Sequence, residues 1–162
     1  MNTIALPARA FPIQETVDHV DLSLYSGKWY VIGSIPTVFD RNWDHTTETY
    51  TMNKDGYFDV FTTFRKKGKQ HQVWSKGFVD RSSGNSKWKV QYLWPFKVDY
   101  WIIELADDYS FVVVGHPRHK FLFIMGRSPR MSAEKYEAIA MRCRSKGYDI
   151  SKLRRQKQPE HL

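Results

Sequence analysis

Cysteine is almost absent: Cys143 is the single one in 162 residues. An intrachain disulfide, a Cys-rich zinc site and a CxxC redox pair are therefore all excluded, and the fold must stand on its packed core. No apolar run approaches the roughly 20 residues that a membrane-crossing helix needs. The opening "MNTIALPARAFPIQETVDHVDLSLYS" lacks the continuous apolar segment of a secretory signal. Two origins fit this: a protein that begins at Met1 and stays inside the cell, or one whose export signal has been removed. Internal repeats and low-complexity tracts are missing too. No GxSxG elbow accompanies the serines. Of the six histidines, the pair His116 and His119 brackets a Pro-Arg turn, and no nearby Cys or carboxylate completes a metal set there. No metal and no cofactor is expected, and no nucleic-acid-binding motif is found.

What the chain has in abundance is aromatic surface and positive charge. Six Trp, nine Tyr and ten Phe can line a sizeable interior, and 25 Lys and Arg against 17 Asp and Glu give a net charge of +8. Such a balance attracts an anionic partner, whether nucleic acid, phospholipid headgroups or an acidic ligand. At this length one domain is expected: an N-terminal extension over 1–19, a barrel with its helix over 20–150, and a basic, partly mobile tail over 151–162.

From Trp29 onward, short β-rich runs alternate with turn chemistry. Strands are expected near 28–35, 46–53, 57–64, 71–79, 87–94, 99–105, 110–115 and 120–127, with hairpin turns at "NKDG", "DRSSGNS" and "ADDY". Eight evenly spaced strands with short connections predict an all-β fold, an eight-stranded antiparallel up-and-down β-barrel, since closure removes exposed edges. After them Tyr136, Ile139, Ala140 and Cys143 recur with helical spacing, flanked by Ser132 as N-cap and Gly147 as C′ residue. One C-terminal α-helix should pack on the outside of the barrel, with Cys143 an inert core thiol.

Successive hairpins of such a barrel alternate between its ends, which places residues without coordinates. Trp29 at the head of strand 1 and Arg127 at the foot of strand 8 share one end. There the indole serves as a stopper with the guanidinium over it, and Gly27 lets the backbone pass close beneath. The loop 36–48 and the turn "RKKGK" lie at the opposite, open end.

Gly27-Lys28-Trp29, the turn region "LADDYSFVVVG" and "FLFIMGRSP" resemble the three signature regions of the lipocalins, and the strings "GKWYVIGSIPTVF", "VDYWIIELADDY" and "GYDISKL" look like the branch containing bacterial lipocalin, plant temperature-induced lipocalins and apolipoprotein D. The resemblance implies a cup, open at one end, that carries a fatty acid or lysophospholipid, with a tetrapyrrole or other chromophore as the alternative occupant. It also implies a cell-envelope location if an export signal was removed. One departure stands out: relatives often carry an acidic residue where this chain has Val31, so the cup is expected to be drier there. No cysteine precedes Cys143 to carry a lipid anchor.

Alternation then selects the lining. Val31, Phe58, Val60, Phe64, Trp88, Val90, Tyr92 and Trp94 should face inward, with Phe39 and Trp43 at the mouth. On strand 6, Trp101, Ile103 and Leu105 face inward if Glu104 is solvated. Arg65, Lys66, Lys67 and Lys69 form a basic rim suited to an anionic membrane surface. A second copy of the chain is a further candidate partner. A non-enzymatic binding protein is expected; the rival, a lipocalin-fold enzyme, would need Glu104 to face into the cup.

Overall fold

Apolar and polar residues in alternation, broken by Gly, Asn and Asp at the turns, give β1 (Gly27–Ile35), β2 (Asp44–Met52), β3 (Phe58–Lys66), β4 (Lys69–Asp80), β5 (Lys87–Leu93), β6 (Phe96–Leu105), β7 (Phe111–Gly115) and β8 (Leu122–Gly126). Each pairs antiparallel with the next, and β8 and β2 both pair with β1, so the sheet closes into a barrel. The computed structural model describes residues 13–159.

At the closed end a one-turn helix, α1 (Leu22–Tyr25), is capped by the Asp21 carboxylate, which accepts from the Ser23 and Leu24 amides. Tyr25 and Trp29 are both fully buried there, and the Trp29 Nε1–H donates to the Tyr25 carbonyl at 2.9 Å. Arg127 lies 3.7 Å above the indole and donates to the carbonyls of Leu24, Tyr25, Ser26 and Lys28. Such a contact is worth about 0.5–2 kcal/mol beyond burial. Gly27 has φ +98°, and a Cβ there would sit 3.4 Å from the guanidinium, so glycine serves both the turn and the arginine.

Segments expected to be peripheral prove to be part of the barrel. Residues 14–19, from the supposed N-terminal extension, and Val20, the first residue assigned to the barrel, cross beneath the closed end: the Val17 amide donates to the Ile102 carbonyl and the Val20 amide to the Gly84 carbonyl. Residues 1–12 lie outside the described residues. The supposed tail is not loose either. β1 pairs with β2 only from Gly27 to Tyr30, because a bulge between Val31 and Gly33 bends it away. Into that gap fits a short strand, β9 (Arg154–Arg155), paired with Ser34 and Gly33. The Gln156 amide donates to Ile32, and the Gln158 side chain donates to both Val31 and Thr46, tying β1 to β2 across the seam. Residues 160–162 of the tail lie outside the described residues.

The outer helix, α2 (Ala133–Ser145), is capped by Ser132 and buries Ile139, Ala140 and Cys143. Ile139 and Cys143 pack against Ile35, Ile103, Val113, Leu122 and Ile124 on the outside of β1, β6, β7 and β8. Burial pushes the Cys143 thiol up to about 11, which leaves it unreactive at neutral pH. Because β9 bridges the seam, truncation after Ser151 should lower the melting temperature by several degrees, as expected for a loss of 1–2 kcal/mol in a domain of this size (about 2–4 °C per kcal/mol). An unchanged melting curve by circular dichroism would show that β9 contributes nothing to closure.

Candidate functional site

The barrel is filled below and open above. Around Tyr25, the side chains of Trp29, Tyr50, Phe58, Trp88 and Tyr100 form one buried aromatic cluster. Phe58 stacks on Trp88 with ring centroids 4.9 Å apart, and Trp88 stacks on Tyr100 at 5.2 Å. Above this plug the inner face turns outward to solvent: Tyr92 is 52% exposed and Val98 42% exposed, although Val98 faces Val90 across β5 and β6 on the inside of the barrel. Toward the mouth Trp43 stacks on Phe64 at 3.6 Å, and Phe64 stacks on His71 at 5.3 Å. Those residues outline a cup occupying the open half of the barrel.

The cup has a polar element that sequence reasoning missed. Glu48 on β2 faces Thr62 of β3 on the inner surface. Its Oε2 accepts a very short hydrogen bond from the Tyr50 hydroxyl. Tyr50 in turn contacts the Tyr100 hydroxyl at 2.7 Å, and Tyr100 contacts that of Tyr25 at 2.5 Å. Burial raises the Glu48 carboxyl to about 7, partly opposed by the bond from Tyr50. The Tyr92 phenol is likewise pushed up, by burial first and then by Glu48 and Asp40. Tyr92 is thus half exposed by area yet desolvated, which is consistent when its free surface opens into a narrow cup rather than to bulk solvent. Asp40, in the loop before β2, is also raised by burial, although its carboxylate accepts from the Thr37 amide and hydroxyl.

Several sequence expectations are corrected. Trp101 and Ile103 face outward: Trp101 lies beneath the Lys87 ammonium, and Ile103 packs under α2. The cause is a bulge between Ile102 and Glu104, which puts two consecutive side chains on the outside and brings Tyr100, Ile102 and Leu105 inward. Glu104 therefore lies outside, bonded to Arg142 at 2.6 Å and to Lys146 at 3.2 Å, where no cup substrate can reach it. Trp94 lies past the end of β5, 81% exposed, because the register shifts after Val90 and the strand stops at Leu93. Phe58 and Trp88 face inward but belong to the plug, sealed by mutual stacking; Val31 is also fully buried. Val31 is apolar at its own position, and a carboxylate enters the interior from the neighbouring strand instead, at Glu48.

Other expected residues sit as follows. Val60 and Val90 face inward and are buried where plug meets cup, Phe64 is buried nearer the mouth, and Phe39 is 80% exposed on the rim. Arg65, Lys66, Lys67 and Lys69 surround the β3–β4 turn at the open end, where Lys67 and Gly68 both take positive φ; Arg65 is drawn back onto the Gly68 carbonyl at 3.1 Å. Beyond Lys76 and Gln91 the ladder between β4 and β5 stops. A cleft of about 230 Å³ opens there, lined by outer-face Trp74 and Lys76 and by Ser75, Tyr92 and Trp94. The signal for Glu48 was present, since it shares parity with Tyr50. However, "DHTTETYTM" is polar on both faces, so alternation offered no contrast to read.

Residues 20–158 match the lipocalin-like domain family. The chain is 31% identical to temperature-induced lipocalin-1 of Arabidopsis thaliana over 155 residues, covering 90% of this chain and 83% of that protein. It is 30% identical to the outer membrane lipoprotein Blc of Escherichia coli (strain K12) over 140 residues, covering 85% and 78%. The fold superposes on insecticyanin of the tobacco hornworm Manduca sexta with a TM-score of 0.75 at 17% identity, over 93% of this chain and 87% of that one.

A carboxyl whose folded value is raised from 4.5 to about 7 favours the fold most below 4.5 and loses that contribution as pH rises through 7. The wild type should thus lose stability between about pH 4.5 and 7, by at most about 3 kcal/mol. Glu48→Gln should flatten that part of the curve; urea denaturation at pH 5 and pH 8 measures it. Identical pH slopes in the two proteins would mean that Glu48 is not desolvated.

Proposed function

The chain belongs to the lipocalin family, whose members bind small hydrophobic ligands, and from that premise we propose that its cup carries a single long-chain amphiphile, a fatty acid or a lysophospholipid, with the tail inward. One observation carries this reading: inward-facing Tyr92 and Val98 keep about half their surface free above a sealed aromatic floor. Apolar transfer of the tail supplies about 0.8 kcal/mol per buried CH₂, offset by the cost of ordering chain and ligand. The head group would then stand at the mouth, beside Lys66, Lys67 and Lys69. A binding role is favoured by the place of Glu104, the acid that a catalytic reading would call on, which is engaged in fastening α2 to the barrel.

The open end also suits a lipid surface. Leu93, Trp94 and Phe96 project from the β5–β6 hairpin, with Trp94 81% and Phe96 72% exposed, and Val38 and Phe39 project from the β1–β2 loop at the same end. Exposed apolar tips of this size, flanked by lysines, match the interface of an anionic bilayer, with the aromatic rings at headgroup depth and the cations against the phosphates. In this reading the mouth collects its ligand directly from the membrane.

Val98→Arg should abolish displacement of a fluorescent fatty acid while leaving β-type circular dichroism intact; retained affinity would place the ligand elsewhere. Protein purified from its own host with a visible absorption band would favour the chromophore alternative. For the membrane contact, Trp94→Ser with Phe96→Ser should weaken sedimentation with phosphatidylserine vesicles at low and high salt alike. Gln at Lys66, Lys67 and Lys69 should weaken it only at low salt, because exposed charges are screened over about 10 Å at 0.1 M. Wild-type vesicle binding by both variants would remove the membrane from the proposal.

A further inference from the structure

We propose that the wall formed by β2, β3 and β4 holds a polar subsite, centred on Glu48, that accepts a hydrogen-bond-donating group, a hydroxyl or an ammonium, at the buried end of the ligand chain. This rests on the reading that the cup holds an amphiphile, and it specifies what the inner end of that molecule carries.

The wall carries polar groups without protein partners. One oxygen of Glu48 is taken by Tyr50, and Glu48, only partly buried, keeps surface open on the inner face. Directly across from it Thr62 is 2% exposed, and its hydroxyl has no hydrogen-bond partner. On β4, opposite Val60 and so nearer the plug, Ser75 is also buried, and its hydroxyl too has no hydrogen-bond partner. Among the described residues no Lys, Arg or His forms an ion pair with Glu48. The Asp40 carboxylate acts on Glu48 across the same space and adds to its negative character. The lysines of this +8 chain stand on the rim and the outer wall, so charge changes sign from the mouth inward.

A plain methyl terminus pressed onto this wall would strip water from the carboxylate and put nothing in its place, a penalty that unpaired buried polar groups always carry. A hydroxyl or ammonium restores the lost bond, and charge-assisted bonds of this kind are the strong ones. The opposite wall, with Val90, Val98, Val114 and Met125, takes the methylenes between the two ends. Glu48 faces Thr62, three residues along β3 from Arg65, which faces Asp44 at the rim. That is a depth of about 10 Å, within reach of a chain of about a dozen carbons whose head group stands at the rim lysines.

The test holds the outer end and the chain length constant and changes only the inner end. Dodecanoate, ω-hydroxydodecanoate and ω-aminododecanoate are titrated calorimetrically into the full-length protein at pH 8. The two ω-substituted chains should bind at least roughly tenfold more tightly than dodecanoate, the equivalent of one hydrogen bond to a charged group. Glu48→Gln should keep the hydroxyl preference and lose the ammonium preference, and Glu48→Leu should put dodecanoate first. If the wild type binds dodecanoate as tightly as the other two, or if Glu48→Leu leaves the ranking unchanged, the subsite is overturned while the cup remains. Failure of the wild type to bind any of the three overturns the cup, and the subsite with it.

Discussion

Arg127 is the fastening on which the barrel depends. Its guanidinium lies on the Trp29 ring and draws together four carbonyls from residues 24–28, so the chain entering β1 and the chain leaving β8 are joined at one point. The carbonyls at the end of α1 have no helical partners of their own, and an always-charged, five-donor fork can satisfy several of them at once. With that end fastened, Tyr25 is held beneath the indole, and the aromatic plug builds on Tyr25 through Tyr50, Trp88 and Tyr100.

The plug confines the open part of the interior to the upper half. A barrel of eight strands has just enough interior for side chains to fill it or for one small ligand, and this chain does one of these at each end. Large rings stacked within 5–6 Å occupy the lower half. Smaller residues, valine, threonine and serine, follow on the same strands above the plug, before a second group of rings, Trp43, Phe64 and His71, stands toward the mouth.

Two bulges then decide which residues meet that room. The one in β1 turns the strand away from β2, and the resulting gap is closed by β9 with the Gln156 and Gln158 contacts. The one in β6 sends Ile103 and Glu104 outward together, where the first packs beneath α2 and the second pairs with Arg142 and Lys146. A single irregularity thus converts a candidate acid in the cup into an anchor for the outer helix. The acid the cup does contain, Glu48, comes from a regular stretch of β2.

Strand number, hairpin order, the outer helix and its caps, and the meeting of Trp29 with Arg127 were all legible in the chain itself. They follow from local causes: alternation, turn residues, helical spacing, and the rule that hairpins alternate between ends. Inward parity on β3 and β5 was legible for the same reason, since Phe58, Val60 and Val90 alternate with charged or polar neighbours. What only the tertiary structure decided was non-local. Bulges reset the parity of β6, because a sheet that must curve takes up extra residues where closure demands it rather than where composition announces it. The C-terminal segment, basic and without an apolar stripe, became a strand because a distant bulge left two edges unpaired. Glu48 became an interior carboxylate because its strand, polar on both faces, is oriented by its neighbours and not by its own pattern.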